Sequence, residues 1–333
     1  MSQIAIEAIQ RGLETAGSGV PSDGSLVAAT YQIVGDGSVT FDDRVELPAY
    51  PRGKFGPIIE DVYVAETGTS ISLNDAELTH EDLVWDLNAA IKAVVGAATN
   101  FPFTFPTSSA NSIRAFTYEY RTAAQEYEAG YGIFTEYNIK ADADDNGGVF
   151  YRNAKIQARK AVASTMTSSL SKVANRENMN LRNAVLYLDT IGTAAGTNAA
   201  SLYVKGFTLD IKTGWMGEAF ATGRSDLDFS DAYFHNFELS GTLKCLMDSA
   251  AVTQISNMRA GTPKIVQLKV NGSSSRVTKF NLPLAWMGIT GIGNERKDGL
   301  RMVTFNYKAG YSQTSTAQGA GIDVTLSTST TVT

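Results

Sequence analysis

Cysteine, histidine and long apolar runs are what this 333-residue chain has least of. The lone Cys245 cannot close a disulfide within the chain, which excludes a disulfide-stapled secreted scaffold. His80 and His235 stand 155 positions apart, one before a predicted helix and one in a predicted strand, so little histidine-based metal or acid–base chemistry is expected. No stretch approaches the ~18 apolar residues of a membrane helix. The first residues, MSQIAIEAIQRG, lack a basic segment followed by an apolar one, so no secretion signal is expected. The HExxH and CxxC spacings and the phosphate loop ending in Gly-Lys-Ser/Thr are also missing.

Three stretches imitate chemistry without completing it. In DADDNGG, Asp142, Asp144, Asn146 and Gly147 fit the start of a calcium loop, but the position that needs a bidentate Glu is Asn153. The segment also lies between two predicted strands, so a polar turn is the better reading. GITGIG (Gly288–Gly293) has the wrong glycine spacing for a dinucleotide site and runs into another turn, NERKDG. The acid pairs Asp42–Asp43 and Glu60–Asp61 flank a loop, with nothing in the sequence to make them a hydrolytic pair. No catalytic, cofactor or metal-binding residue is therefore assigned, no cofactor is expected, and the chain reads as a non-enzyme.

What is present is a folded protein's composition: 43% hydrophobic, with 14 Tyr and 15 Phe. The length allows two domains. The net charge of −6 is uneven: through Thr165 there are 22 acidic and 12 basic residues, and after it 12 acidic and 16 basic. A general nucleic-acid binder should be basic, and this chain is not.

Along the chain, residues 10–25 carry four glycines and Pro21 and read as an extended arm. A strand is expected around Ala28–Thr40, then a long excursion whose tip, 46–58, is broken by Pro48, Pro51, Gly53, Gly56 and Pro57. TSISLNDAEL reads as a strand. THEDLVWDLNAAIKAVVG is the clearest helix: Thr79 caps it, Glu81 and Asp82 occupy its first turn, and Leu83, Leu87, Ile91 and Val94 recur at helical spacing. FPFTFP reads as a connector, followed by three strands. The second half repeats the order, with an excursion TGWMGEAFATGRSD, a short helix capped by Asp248, and three more strands. Residues 162–180 read as a polar linker. The Ser/Thr-rich C-terminus reads as a flexible tail or a strand seeking a partner. Ile156 and Tyr307 are 151 positions apart in similarly alternating strands, and Phe116, Tyr118 and Tyr120 precede Val266, Leu268 and Val270 by 150. These spacings point to a structural duplication.

The arm RGLETAGSGVPSDG, the helix entry AELTHEDLVWDLNAAIKAVVG and the strand pair AGYGIFTEYNIKADADDNGGVFYRNAKIQARKA carry a resemblance in the first half. ATGRSDLDFSDAYFHNFELSGTLKCLMDSAAVTQISNMRAGTPKIVQLKV and GNERKDGLRMVTFNYKAGY carry it in the second. This element order resembles the tail tube proteins, or major tail proteins, of long flexible-tailed (siphovirus-type) bacteriophages. The resemblance implies a mainly β fold with minor α. It consists of two tandem antiparallel β-sandwich or barrel-like modules, 1–165 and 166–333, each with a flanking short helix. It also implies a structural virion protein, made in the host cytoplasm, whose partner is itself. Three two-module copies would close a pseudo-hexameric ring, with six copies as the alternative, and rings would stack into a hollow tube. The tape measure protein and genomic DNA would pass through the lumen, and tail terminator and tail tip proteins would bind the ends, with no membrane contact. Contacts between rings or subunits are expected from Tyr50, Arg52, Lys54 and Phe55 on the first excursion and from Trp215 and Met216 on the second. The alternatives are another β-rich virion component (a tail terminator, a capsid decoration protein or an adhesin) and a non-viral carbohydrate-binding or surface protein.

Overall fold

The computed structural model describes residues 3–14, 26–33, 35–47, 62–94, 96–107, 109–170, 176–218, 227–293, 301–310 and 320–332. Among these the chain is mainly β, with two α-helices. The first half contains β1 (Ile4–Ile6), β2 (Ala8–Leu13), β3 (Tyr31–Ile33), β4 (Asp36–Phe41), β5 (Arg44–Glu46), β6 (Tyr63–Glu66), β7 (Thr69–Glu77), α1 (His80–Ala90), β8 (Gly96–Thr104), β9 (Phe116–Arg121), β10 (Glu126–Asp142), β11 (Tyr151–Ala158) and β12 (Val162–Ala163). The second half contains β13 (Ala184–Thr190), β14 (Val204–Lys212), β15 (Trp215–Glu218), β16 (Asp231–Phe234), β17 (Glu238–Leu246), α2 (Ser249–Arg259), β18 (Lys264–Asn271), β19 (Val277–Gly293), β20 (Met302–Ala309) and β21 (Gly321–Val332). Seventeen strands form one antiparallel sheet system, and the pairs β5–β6 and β15–β16 form separate hairpins.

The helices start where their side chains satisfy free backbone donors. Thr79 Oγ1 accepts from the Asp82 amide at 2.9 Å, and Asp248 accepts from the Ala251 amide at 2.8 Å. The strands with clear alternation fold as expected, because one face of each is buried: β11 hides Ala154, Ile156 and Ala158, and β20 hides Val303, Phe305 and Tyr307.

Three local expectations need correction. Gln10–Leu13 belong to no free arm: they form β2, with Arg11 and Leu13 buried, and residues 15–25 lie outside the described residues. Gly12 is required there, since a Cβ would lie 2.4 Å from the Ala28 carbonyl oxygen. Phe101–Thr104 of FPFTFP belong to strand β8, with Phe101 and Phe103 fully buried. The C-terminal β21 has its partners within the chain, pairing with both β8 and β19.

The hydrogen-bond register recurs along the chain. Val39 lies opposite Ile71 in β4–β7, and Leu209 lies opposite Gly241 in β14–β17, 170 positions on in both strands (39 to 209, 71 to 241). Ser38 opposite Ser72 becomes Thr208 opposite Thr242 by the same step. Phe134 faces Ile156 in β10–β11, and Trp286 faces Tyr307 in β19–β20; the following residue, Thr135 or Met287, is bulged out of register in each. Arg11 faces Tyr118 as Leu186 faces Leu268. The hairpins follow as well: Val45 opposite Val64 and Glu46 opposite Tyr63 become Trp215 opposite Phe234 and Met216 opposite Tyr233, again at a step of 170.

The core is nevertheless undivided. One hydrophobic cluster draws on both halves, and Phe150 of the first packs on Phe207 and Phe280 of the second at centroid distances of 6.3 and 6.2 Å. The expected boundary at 165/166 falls between β12 and β13, and both sheet and core run across it.

Candidate assembly interface

The two halves of the chain meet along a seam between β10 and β14. β10 continues past its bulge and pairs along one edge with β11 and along the other with β14, from Glu136 opposite Lys212 to Asp142 opposite Gly206. Beside this seam the β15–β16 hairpin folds over the first half. Trp215, Phe229 and Ala232 pack with Ile113, Ala115, Tyr131 and Ile133 in a second, smaller cluster. Arg159, at the end of β11, fastens the hairpin loop: its Nε donates to the Phe229 carbonyl at 3.1 Å and a terminal nitrogen donates to that of Ser230 at 2.5 Å. Its guanidinium lies 4.4 Å over the Tyr131 ring. Burial, with the hydrogen bond from its hydroxyl to Asp231, pushes the Tyr131 phenol up, so it remains a neutral donor.

Charge follows the uneven sequence. Asp144 of the first half pairs with Lys205 of the second at 2.8 Å, and Asp142 with Lys244 at 3.5 Å. The would-be calcium loop thus spends two of its carboxylates on lysines across the seam, and its first turn is closed by the Asp144 amide donating to Asp142. On the opposite side, Arg276 of the second half binds Glu81 at 2.7 Å at the start of α1. Next to that pair His80 is buried, with Nδ1 2.7 Å from Thr278 Oγ1. Burial drives its pKa down to about 4, against the pull of Glu81 and Glu177.

Within the first half a buried ionic centre fixes α1. Asp86 receives Arg11 at 2.7 Å, Arg152 at 2.5 Å and the Tyr137 hydroxyl at 2.7 Å, with all three charged side chains fully buried. Burial alone would raise the Asp86 carboxyl, but Arg152 and Arg11 hold it below its ordinary value. Sequence reading missed this centre because its members are 75 and 66 positions apart. Its three charged side chains are closed off from solvent, and it works as structure.

Of the surfaces equivalent to the seam, the β4 edge, counterpart of that of β14, holds only the three residues of β1, and two others are open. The edge of β10 that meets β14 corresponds to the outer edge of β19 beyond Leu284, which has no partner strand among the described residues. Met287 there is 59% exposed. The β15–β16 hairpin corresponds to β5–β6, whose Val45 is 59% and Val64 43% exposed, although their counterparts Trp215 and Phe234 are packed in the seam.

Of the residues singled out in the sequence, Tyr50, Arg52, Lys54 and Phe55 lie outside the described residues. Trp215 is buried in the seam, and its neighbour Met216 is half exposed. The structure therefore separates these two, and the exposed apolar positions Val45, Val62 and Val64 were missed. Their signal was the hairpin register, which only the paired strands reveal. A groove of about 560 Å³ runs beside Trp215 between Lys155, Glu136, Lys212 and His235. Among the described residues no group of three or more His, Cys, Asp or Glu is placed to hold a metal. Burial raises the Cys245 thiol to about 12, so it is no nucleophile. No protein-family model matches the chain, and no curated protein matches it in sequence.

Proposed function

We propose that this chain is a self-assembling structural protein of a phage tail tube, built of two tandem modules, 1–165 and 166–333, that dock on one another in a ring. The observation that supports the reading is the repeated register: one seam is closed within the chain, while the matching edges lack a full-length partner among the described residues, the β19 edge beyond Leu284 being free and the β4 edge holding only the three residues of β1. Two surfaces that differ from one another and fit each other make a head-to-tail contact, which either closes into a ring or runs on as a filament. In a six-position ring three copies suffice, because each fills two positions. Unlike charge at every seam favours alternation of first and second modules over pairing of like ones.

The conduit role rests on the resemblance in element order together with the chain's acidity. Carboxylates on a tube wall repel passing phosphates, whereas a basic wall would release counterions, bind DNA and stall it. The tape measure protein would occupy the same lumen before DNA, and tail terminator and tail tip proteins would cap the ends. The first excursion, with Tyr50, Arg52, Lys54 and Phe55, would contact the next ring.

Negative-stain electron microscopy of the purified, concentrated protein tests the reading. Hollow tubes or stacked rings are expected. Discrete particles without a lumen would favour another virion component, such as a tail terminator, and monomers at every concentration would refute self-assembly. Deleting residues 47–57 should leave rings that no longer stack.

A further inference from the structure

The short strand β1 stands where another copy's strand belongs. Ile4, Ala5 and Ile6 lie opposite Val39, Ser38 and Gly37 on the outer edge of β4. Shifted by the 170 positions that relate β4 to β14, those residues become Leu209, Thr208 and Phe207, which face Ile139, Lys140 and Ala141 of β10. β1 therefore occupies, on the first half, the lane that a full-length strand occupies on the second. It fills that lane poorly: three residues replace a seven-residue seam, and Ile4 and Ala5 are exposed. The β4 edge from Thr40 to Phe41 has no partner on that side among the described residues.

We propose that β1 is an intramolecular latch, displaced on assembly by β19 of a second copy. The internal seam fixes the register of the incoming strand. Glu136, Tyr137 and Asn138 of β10 face Lys212, Ile211 and Asp210. A step of 152, set by the shared bulge at Thr135 and Met287, carries the first three to Gly288, Ile289 and Thr290 (136 to 288, 138 to 290). The step of 170 returns the second three to Asp42, Phe41 and Thr40. Gly288–Thr290 of one copy thus lie opposite Asp42–Thr40 of the next, on the open part of the edge; a second bulge between Thr290 and Ile292, which β10 lacks, ends the strict step there, and Ile292–Gly293 then reach the stretch that β1 holds and replace it. The exposed Val45 and Val64 come to lie against the β19–β20 surface beside Met287, as Trp215 and Phe234 lie against β10. The occupant is a second copy of this chain because, among the described residues, β19 alone offers both the bulged register and the free edge.

This inference rests on the self-assembly reading, and two double-cysteine variants separate the fates of the two. In A5C/S38C the latch can be locked by oxidation, since the residues are direct partners in the ladder. Oxidised, it should assemble at least about ten-fold more slowly than the unmodified chain, and reduction should restore the rate. In T40C/T290C, oxidation of assembled protein should link copies to one another, whereas T40C/G288C, two places out of register at roughly 7–8 Å, should link far less. Buried Cys245 leaves the background low. A locked latch that assembles at the normal rate, or assemblies in which T40C/T290C links no better than T40C/G288C, would overturn the proposal and leave self-assembly standing. Failure of every form to assemble, the unmodified chain included, would remove both.

Discussion

The hairpins β5–β6 and β15–β16 share one register and differ in what covers them. The second carries Trp215 and Phe234 into a cluster beneath the first half, held by Arg159. The first carries valines at the same places and leaves them in water. An aromatic pair packed in a cluster and an exposed aliphatic pair stand at equivalent sites of the same backbone device. One contact forms within the folded chain, and the other, on the proposed assembly, is made with a second copy. The valines fit the second duty, because a large exposed aromatic patch would invite indiscriminate association before the correct neighbour arrives. The helices contrast in the same way. All of α1 is buried and anchored through Asp86, whereas α2 buries only Ala251 and Gln254.

The contrast can be broken at graded cost. Asp86→Ala removes the carboxylate that Arg11 and Arg152 share in the interior and should cost about 3–5 kcal/mol in urea unfolding. Trp215→Ala should cost about 3 kcal/mol, whereas Val45→Ala, its counterpart, should stay within roughly 0.5 kcal/mol in the monomer and act on assembly alone. Equal losses at the two sites would end the comparison.

Acid probes the side of the seam where α1 meets β19. His80 is neutral when folded, with its pKa near 4, and takes up a proton near its ordinary pKa of 6.5 once unfolded. The unfolded state therefore binds more protons between those values, and stability falls as pH drops through that window. The full loss is about 3 kcal/mol by the bottom of it. His80→Asn should flatten the acid limb of the stability curve between pH 6.5 and 4, and an unchanged limb would assign it to carboxylates. Smallest of all, Lys205→Gln at the Asp144 pair should cost about 0–1 kcal/mol and lose its effect in high salt.

Much of this fold could be read from local sequence. Thr79 and Asp248 announced their helices, because a capping oxygen ahead of a periodic apolar run has one common use. The alternation of β11 and β20 announced strands with one buried face. What escaped was set by distant partners. Pro102 and Pro106 made the stretch around Phe103 look like a connector, yet β21, more than two hundred positions on, pairs with it and makes it a strand. The arm reading at Gln10–Leu13 failed because glycine there answers to the Ala28 carbonyl. The candidate interface was the least readable part: Trp215 was visible as an aromatic on a loop, but its burial, and the exposure of Val45 and Val64, depend on which hairpin has a neighbouring half to cover it.

Native mass spectrometry across a concentration series tests most directly whether the open surfaces are a vacant seam. The account predicts a closed species of three times the 35.6 kDa chain, lost on replacing Val45 by Arg while the monomer stays folded. A 35.6 kDa monomer at every concentration, or oligomers that ignore Val45→Arg, would contradict it.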